Sequence, residues 1–210
     1  LKLLMSGQGE QTFALLREHD LFSPLFPDTE EAIEDNPEYS LALVGQALRN
    51  TDLRIREERP VTPAFLFAAL LWPALPERIK RLEDQGIPLI PAQQQAAQEL
   101  LAEQCRHTAI PKRFSVPLRE IWDMQPRLER RNGRRADQLL EHPRFRAAYD
   151  FLLLREAAGE QTEGLGDWWT RYQEANADTR RQMIRELATD GSGKRSRGRR
   201  KRKPRPRSDT

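Results

Sequence analysis

The chain has 210 residues, 32% charged and 38% hydrophobic, which is long enough for one sizeable core or two small ones and too apolar for a chain disordered throughout. Its formal net charge of +3 conceals a split, because residues 191–210 hold ten Lys or Arg and one acid, leaving 25 basic against 31 acidic residues upstream. A lone cysteine, Cys105, excludes an internal disulfide, and His19, His107 and His142 show no zinc-ligand spacing, so the chain suits a reducing compartment such as the cytoplasm.

Taken in chain order, "LKLLM" lacks a signal peptide's apolar core and reads as the start of a piece whose beginning lies upstream. Gly7 and Gly9 read as a helix break. In "LFSPLFPDTEE", Asp28 and Glu30 read as acids that complement a helix N-terminus, not as a metal-binding pair. Leu41, Val44 and Leu48 follow at helical spacing. "PAFLFAALLWPAL", from Pro63 to Leu75, is too short to span a bilayer and predicts a buried helix. Leu3 to Trp72 forms one predicted helical unit and Ala92 to Tyr172 a second, joined by "LEDQGIPLIP" as a loop. Cys105 is placed on an apolar helix face as a small core residue.

Helical spacing continues through Leu118, Ile121, Trp122 and Leu128, then through Phe145, Ala148, Tyr149, Leu152 and Leu153. Prolines 24, 27, 60, 63, 88, 91, 111 and 117 mark predicted helix boundaries, and Pro143 suits a first helical turn. The expected fold is all-α, built of several short helices. After Leu187 no large apolar residue remains, which predicts a disordered tail.

No catalytic or metal-ligating constellation stands out. "GSGK" at Gly191–Lys194 has Ala188 where a phosphate-binding loop needs its first glycine, and reads as a linker. The histidines have no acid or nucleophile in view. The run Arg127–Arg146, "RLERRNGRRADQLLEHPRFR", is different. On a continuous helix Arg127, Arg130, Arg131, Arg134 and Arg135 fall three and four apart and share a flank, and guanidinium forks bind phosphate oxygens bidentately. Lys112 and Arg113, in "AIPKRF", are weaker companions. The tail adds Lys194, Arg195, Arg197, Arg199, Arg200, Lys201, Arg202, Lys203, Arg205 and Arg207, which can bind nucleic acid by releasing its counterions. Against this stand a solvated helix back and a tail that serves solubility. A different class of reading is a non-catalytic helical module whose tail recruits an acidic protein or a membrane surface. Trp122, Trp168 and Trp169 could stack on bases, but their helical spacing favours a core role.

The stretches "LFSPLFP", "NTDLRIREERPVTPAFLFAALLW", "AIPKRF" and "REIWDMQPRLERRNGRRADQLLEHPRFRAAYDFLLLR" closely resemble the C-terminal half of bacterial poly(A) polymerases, and the likeness runs through Trp168 and Trp169 into the tail. The resemblance implies an all-α arrangement with a helical neck over residues 1–85, an arginine-rich body over 92–188 and a disordered basic tail over 189–210. It also implies RNA 3′-end adenylation from ATP with Mg2+, RNA 3′ ends and RNA-decay proteins as partners, and a cytoplasmic, non-membrane setting. The family's glycine-serine loop, head carboxylates and ATP-reading motif have no counterpart here. No catalytic residue is therefore assigned, no metal ligand is expected, and the chain alone is expected to be inactive.

Overall fold

The structure, a computed structural model, describes the backbone of residues 1–195 and the side chains of residues 1–187. After a 3-10 turn at Leu3–Met5, α1 (Gly9–Glu18) is started by a distant acid. The Asp52 carboxylate accepts the Gly9 N–H at 2.7 Å and the Glu10 N–H at 3.0 Å, satisfying two donors that a helix start leaves free. Glycine is required at position 9 because a Cβ there would sit 2.4 Å from the Leu4 carbonyl oxygen. The "G-x-G" is thus the helix break expected of it. We predict that Asp52→Ala costs about 2 kcal/mol. Thermal unfolding should show a melting point lower by roughly 4–8 °C.

The next three helices, α2 (Pro27–Asp35), α3 (Pro37–Arg56) and α4 (Pro63–Leu71), each begin on proline. Its fixed φ suits the first turn, where its missing N–H is not needed. Asp28 and Glu30 fall in the first turn of α2, as helix-dipole complements should. α4 is apolar all round and buried from Ala64 to Leu71 except at Phe65, forming the centre that the apolar run predicts. A 3-10 turn at Trp72–Ala74 leads to α5 (Leu75–Asp84) and then α6 (Leu89–His107), which pack against each other.

α7 (Lys112–Glu129) lies across α4, where Trp122 Nε1 donates to the Ala68 carbonyl at 3.2 Å. This helix corrects one expectation, since Pro117 does not end it and both Pro117 and Pro126 lie inside. Pro126 has no N–H to offer the Trp122 carbonyl one turn back, and Gln93 Nε2 donates to that oxygen instead, at 2.6 Å. Cys105 is a second correction. It is exposed, because the buried stripe of α6 runs through Ala97, Leu100, Leu101 and Gln104.

The chain continues with α8 (Arg135–Leu140), α9 (Phe145–Ala157), α10 (Leu165–Glu174) and α11 (Ala177–Arg195). Pro143 lies in the turn before α9, not in its first turn. Among the described residues there is no strand, and the all-α expectation holds. Buried apolar residues form two clusters. One draws on residues between Leu4 and Trp122 with Phe151, Leu154 and Ala158, and the other on residues between Met124 and Met183. α7 and α9 pack together and feed both clusters, so this pair ties the arginine-rich region to the rest.

Candidate nucleic-acid interface

Trp169 and Tyr172, both on α10, fix the arginine-rich run from either side. Trp169 is wholly buried, and its Nε1 donates at 3.1 Å to the Leu128 carbonyl, one of the acceptors left over at the end of α7. Tyr172 Oη donates at 2.7 Å to Asp137 Oδ1, which anchors α8. Between these anchors the continuous helix expected from the arginine spacing is absent. α7 stops at Glu129, Arg130 caps it at φ −90° and ψ 54°, and Gly133 takes a left-handed φ of +62° before α8 begins. Asn132 and Gly133 supply the turn chemistry that defeats helical periodicity here. The arginines therefore splay around a tight turn instead of lining one flank.

Arg127, Arg130, Arg134 and Arg135 are exposed, and among the described residues none of the four side chains has a hydrogen bond or ion pair. Arg131 behaves otherwise. It is half-buried, with its guanidinium carbon 5.0 Å from the centre of the Trp168 ring and its Nε buried without a partner. Burial pushes this guanidinium below its ordinary value, against the opposing pull of Glu129 and Glu163. Trp168 stacks on Tyr172 at 4.6 Å, and Arg180 covers Tyr172 at 5.3 Å while donating to the carbonyls of Tyr172 and Gln173 at 2.9 Å each. The aromatic pair is thus covered by guanidinium groups. Trp122, Trp168 and Trp169 are buried, as the core reading has it.

Two further arginines of the run are engaged: Arg144 Nε with Glu120 at 2.7 Å and Arg146 with Asp150 at 3.0 Å. Lys112 and Arg113 are exposed at the start of α7, Arg113 lying 4.8 Å over the Phe114 ring. The 18 residues of α7 separate them from the arginine turn by about 27 Å. The structure does not bring them together. Arg119 was not singled out by sequence, yet it is exposed on the same flank of α7 as Arg127, with half-buried Asp123 between. Burial raises the Asp123 carboxyl above its ordinary value even though Arg127 and Arg119 draw it down. The i, i+4, i+8 spacing of Arg119, Asp123 and Arg127 is the clue that could have found it. Residues 189–195 correct the expected disordered tail and linker, because the backbone of α11 continues through Gly191–Lys194 to Arg195. The side chains of Lys194 and Arg195 and the remaining predicted tail, residues 196–210, lie outside the described residues.

Chemically, the turn offers fixed backbone and free guanidinium forks, a match for phosphate oxygens. Among the described residues no group of three or more His, Cys, Asp or Glu side chains is placed to hold a metal ion.

Residues 85–207 match the family described as "Polymerase A arginine-rich C-terminus", and residues 1–33 match "Probable RNA and SrmB- binding site of polymerase A". Poly(A) polymerase I of Salmonella typhimurium is 42% identical over 201 residues, which is 94% of this chain and 43% of that protein. Poly(A) polymerase I of Escherichia coli O157:H7 is 41% identical over 199 residues, 93% of this chain and 43% of the relative. The Haemophilus influenzae Poly(A) polymerase I is 38% identical over 189 residues, 89% and 42% respectively. The chain therefore spans less than half the length of the curated relatives it matches. With more than half of its residues inside the first match, and the arginine turn within that stretch, the chain belongs to the polymerase A arginine-rich C-terminus family.

Proposed function

We propose that this chain is the RNA-holding C-terminal portion of a poly(A) polymerase, a protein that adds AMP from ATP to RNA 3′ ends and so promotes RNA decay. The observation that carries this is the set of four exposed arginines, outside any ion pair, on and beside a turn between α7 and α8 that is fixed at both ends by buried tryptophan and tyrosine contacts. A guanidinium in no ion pair has none to break before it meets phosphate. The basic composition of the tail would add attraction of a sequence-independent kind. ATP and Mg2+ belong to the larger protein in this reading. Among the described residues no group of three or more His, Cys, Asp or Glu is placed to hold the metal. Residence in the cytoplasm and association with RNA-decay proteins follow from the same proposal. Among the described residues, no helix is long and apolar enough to cross a membrane.

The test is a salt titration of the purified chain with fluorescent single-stranded RNA, alongside an incubation with primer, ATP and Mg2+. If the four arginines each neutralise one phosphate and the tail adds to them, affinity should fall at least about 50-fold between 50 and 200 mM salt. No primer extension is expected. Binding that ignores salt, or adenylation by this chain alone, would refute the proposal.

A further inference from the structure

Among the described residues five arginines are buried or half-buried: Arg17, Arg78, Arg131, Arg155 and Arg180. Three of them meet carboxylates, Arg17 with Glu30, Arg78 with Asp28 and Glu103, and Arg155 with Glu160. Arg180 donates to two backbone carbonyls instead. Arg131 has neither arrangement. It forms no ion pair among the described residues, its Nε is buried without a partner, and its Nη1 reaches the Glu129 carbonyl only at 3.4 Å. A half-buried guanidinium so poorly supplied with acceptors costs stability, and what it rests on is the ring of Trp168.

That ring contact is the end of a column. Trp168 lies nearly parallel to Tyr172, with ring centres 4.6 Å apart and planes 14° apart, and Arg180 lies against Tyr172. Because Tyr172 takes one face of Trp168, Arg131 has the other, and the contacts run Arg180, Tyr172, Trp168, Arg131. Tyr172 is wholly buried and Trp168 nearly so, which leaves Arg131 as the layer that meets solvent at this end.

The geometry also decides which part of Arg131 a ligand can use. A guanidinium grips phosphate through two N–H groups on one edge, either Nε with Nη2 or Nη1 with Nη2. Here Nε is buried and Nη1 is turned to the Glu129 carbonyl, so each edge has lost a member. The flat face turned away from Trp168 remains, with no second ring against it among the described residues. Guanidinium planes are surfaces on which the unpaired bases of single-stranded RNA stack.

We infer that Arg131 is a base-stacking platform, its guanidinium taking one nucleobase as the next layer of the column while Arg127, Arg130, Arg134 and Arg135 hold phosphates. This rests on the RNA-holding role proposed above and adds to it a contact with the base. Stacking reads no hydrogen-bonding edge, so the platform tolerates any base sequence.

The test titrates a short single-stranded oligoadenylate, and an abasic oligomer of equal length and charge, against the 210-residue chain and its Arg131→Lys variant. Lysine keeps the charge and an aliphatic stem over Trp168 but has no plane. The parent chain should bind the oligoadenylate about tenfold more tightly than the abasic oligomer. In the variant that ratio should fall to about a third or less, with the salt slope unchanged. A ratio that survives the substitution, or a parent chain that binds both oligomers alike, overturns the platform and leaves the phosphate role standing. A parent chain that binds neither oligomer, or binds both without salt dependence, overturns the RNA-holding role and the platform together. Should lysine loosen the contact with Trp168, a second measurement needs no substitution. In the isotopically labelled parent chain the Arg131 Nε–H resonance should move upfield with the oligoadenylate, under the ring current of a stacked base, and stay in place with the abasic oligomer. Equal movement with both, or none with either, counts against the platform.

Discussion

Replacing Arg155 with methionine is expected to lower the melting temperature by roughly 10 °C, a larger loss of stability than Asp52→Ala should cause. Arg155 is 7% exposed and lies under the Trp72 ring, 4.7 Å from its centre. Its Nη1 donates to Gln125 Oε1 at 2.8 Å, its Nε to Glu160 Oε2 at 2.9 Å, and its Nη2 to Glu160 Oε1. Tyr39 Oη donates to Glu160 Oε2 at 2.8 Å and accepts from Trp72 Nε1 at 3.2 Å. One guanidinium thus links α3, α7 and α9 where the two apolar clusters meet. Methionine would fill the space but leave the Glu160 carboxylate half-buried without its cation, at a cost of about 3–5 kcal/mol.

The same network sets an acid limb. Burial alone would raise the Glu160 carboxyl, but the hydrogen bonds and charge of Arg155, with the Tyr39 hydroxyl, hold it below its ordinary value of 4.5. A depressed folded-state value means the stabilisation is present above pH 4.5 and is lost as pH falls through the lower value in the folded protein. Glu160→Gln should therefore flatten the fall in stability below that pH, measured by urea midpoints across an acid series. The double variant with Arg155→Met should cost less than the sum of the two singles, because each removes the partner the other needs. Additive costs would show that the pair does not act as a unit.

Converting Arg127, Arg130, Arg134 and Arg135 together to alanine is expected to weaken single-stranded RNA binding by several hundredfold at 0.1 M salt and to reduce the salt slope by about 2.8. Circular dichroism and the melting temperature should hardly change, since all four side chains are exposed and without hydrogen bonds or ion pairs among the described residues. Removing equal charge from the tail, at Arg199, Arg200, Arg202 and Arg205, should lower affinity too. The two variants part in the path of the RNA. Phosphate contacts from a fixed backbone define register, whereas diffuse electrostatic attraction does not. Nuclease footprints at matched RNA occupancy should therefore lose their sharp edges only in the turn variant. Identical footprints would return the turn arginines to an ordinary solvated surface. Arg131 is deliberately left in place, because Arg131→Ala would uncover Trp168 and confuse a binding effect with a packing effect.

Much of this architecture is written in short-range pattern. Prolines at the first position of α2, α3 and α4, the apolar run of α4 and the acids in the first turn of α2 each act within a few residues, so local chemistry decides them. Trp122, Trp168 and Trp169 were legible as core for the same reason, falling on the apolar face of their own helices. The break in the arginine run was legible in principle, since Asn132–Gly133 is a turn signal, but the strong three-and-four spacing of the arginines argued the other way. What no local pattern could decide was which side chains are already spoken for. Pro126 sits within α7 because Gln93, 29 residues from Trp122, takes the carbonyl that proline leaves free. Arg144 is occupied by Glu120 and Arg131 by the ring of Trp168, while their neighbours Arg130, Arg134 and Arg135 remain open. Sequence determines that seven arginines lie between residues 127 and 146. Tertiary packing decides which of them are free, α10 by bringing Trp168 to Arg131 and α7 by bringing Glu120 to Arg144, because a guanidinium's availability depends on rings and carboxylates brought near it when distant helices meet.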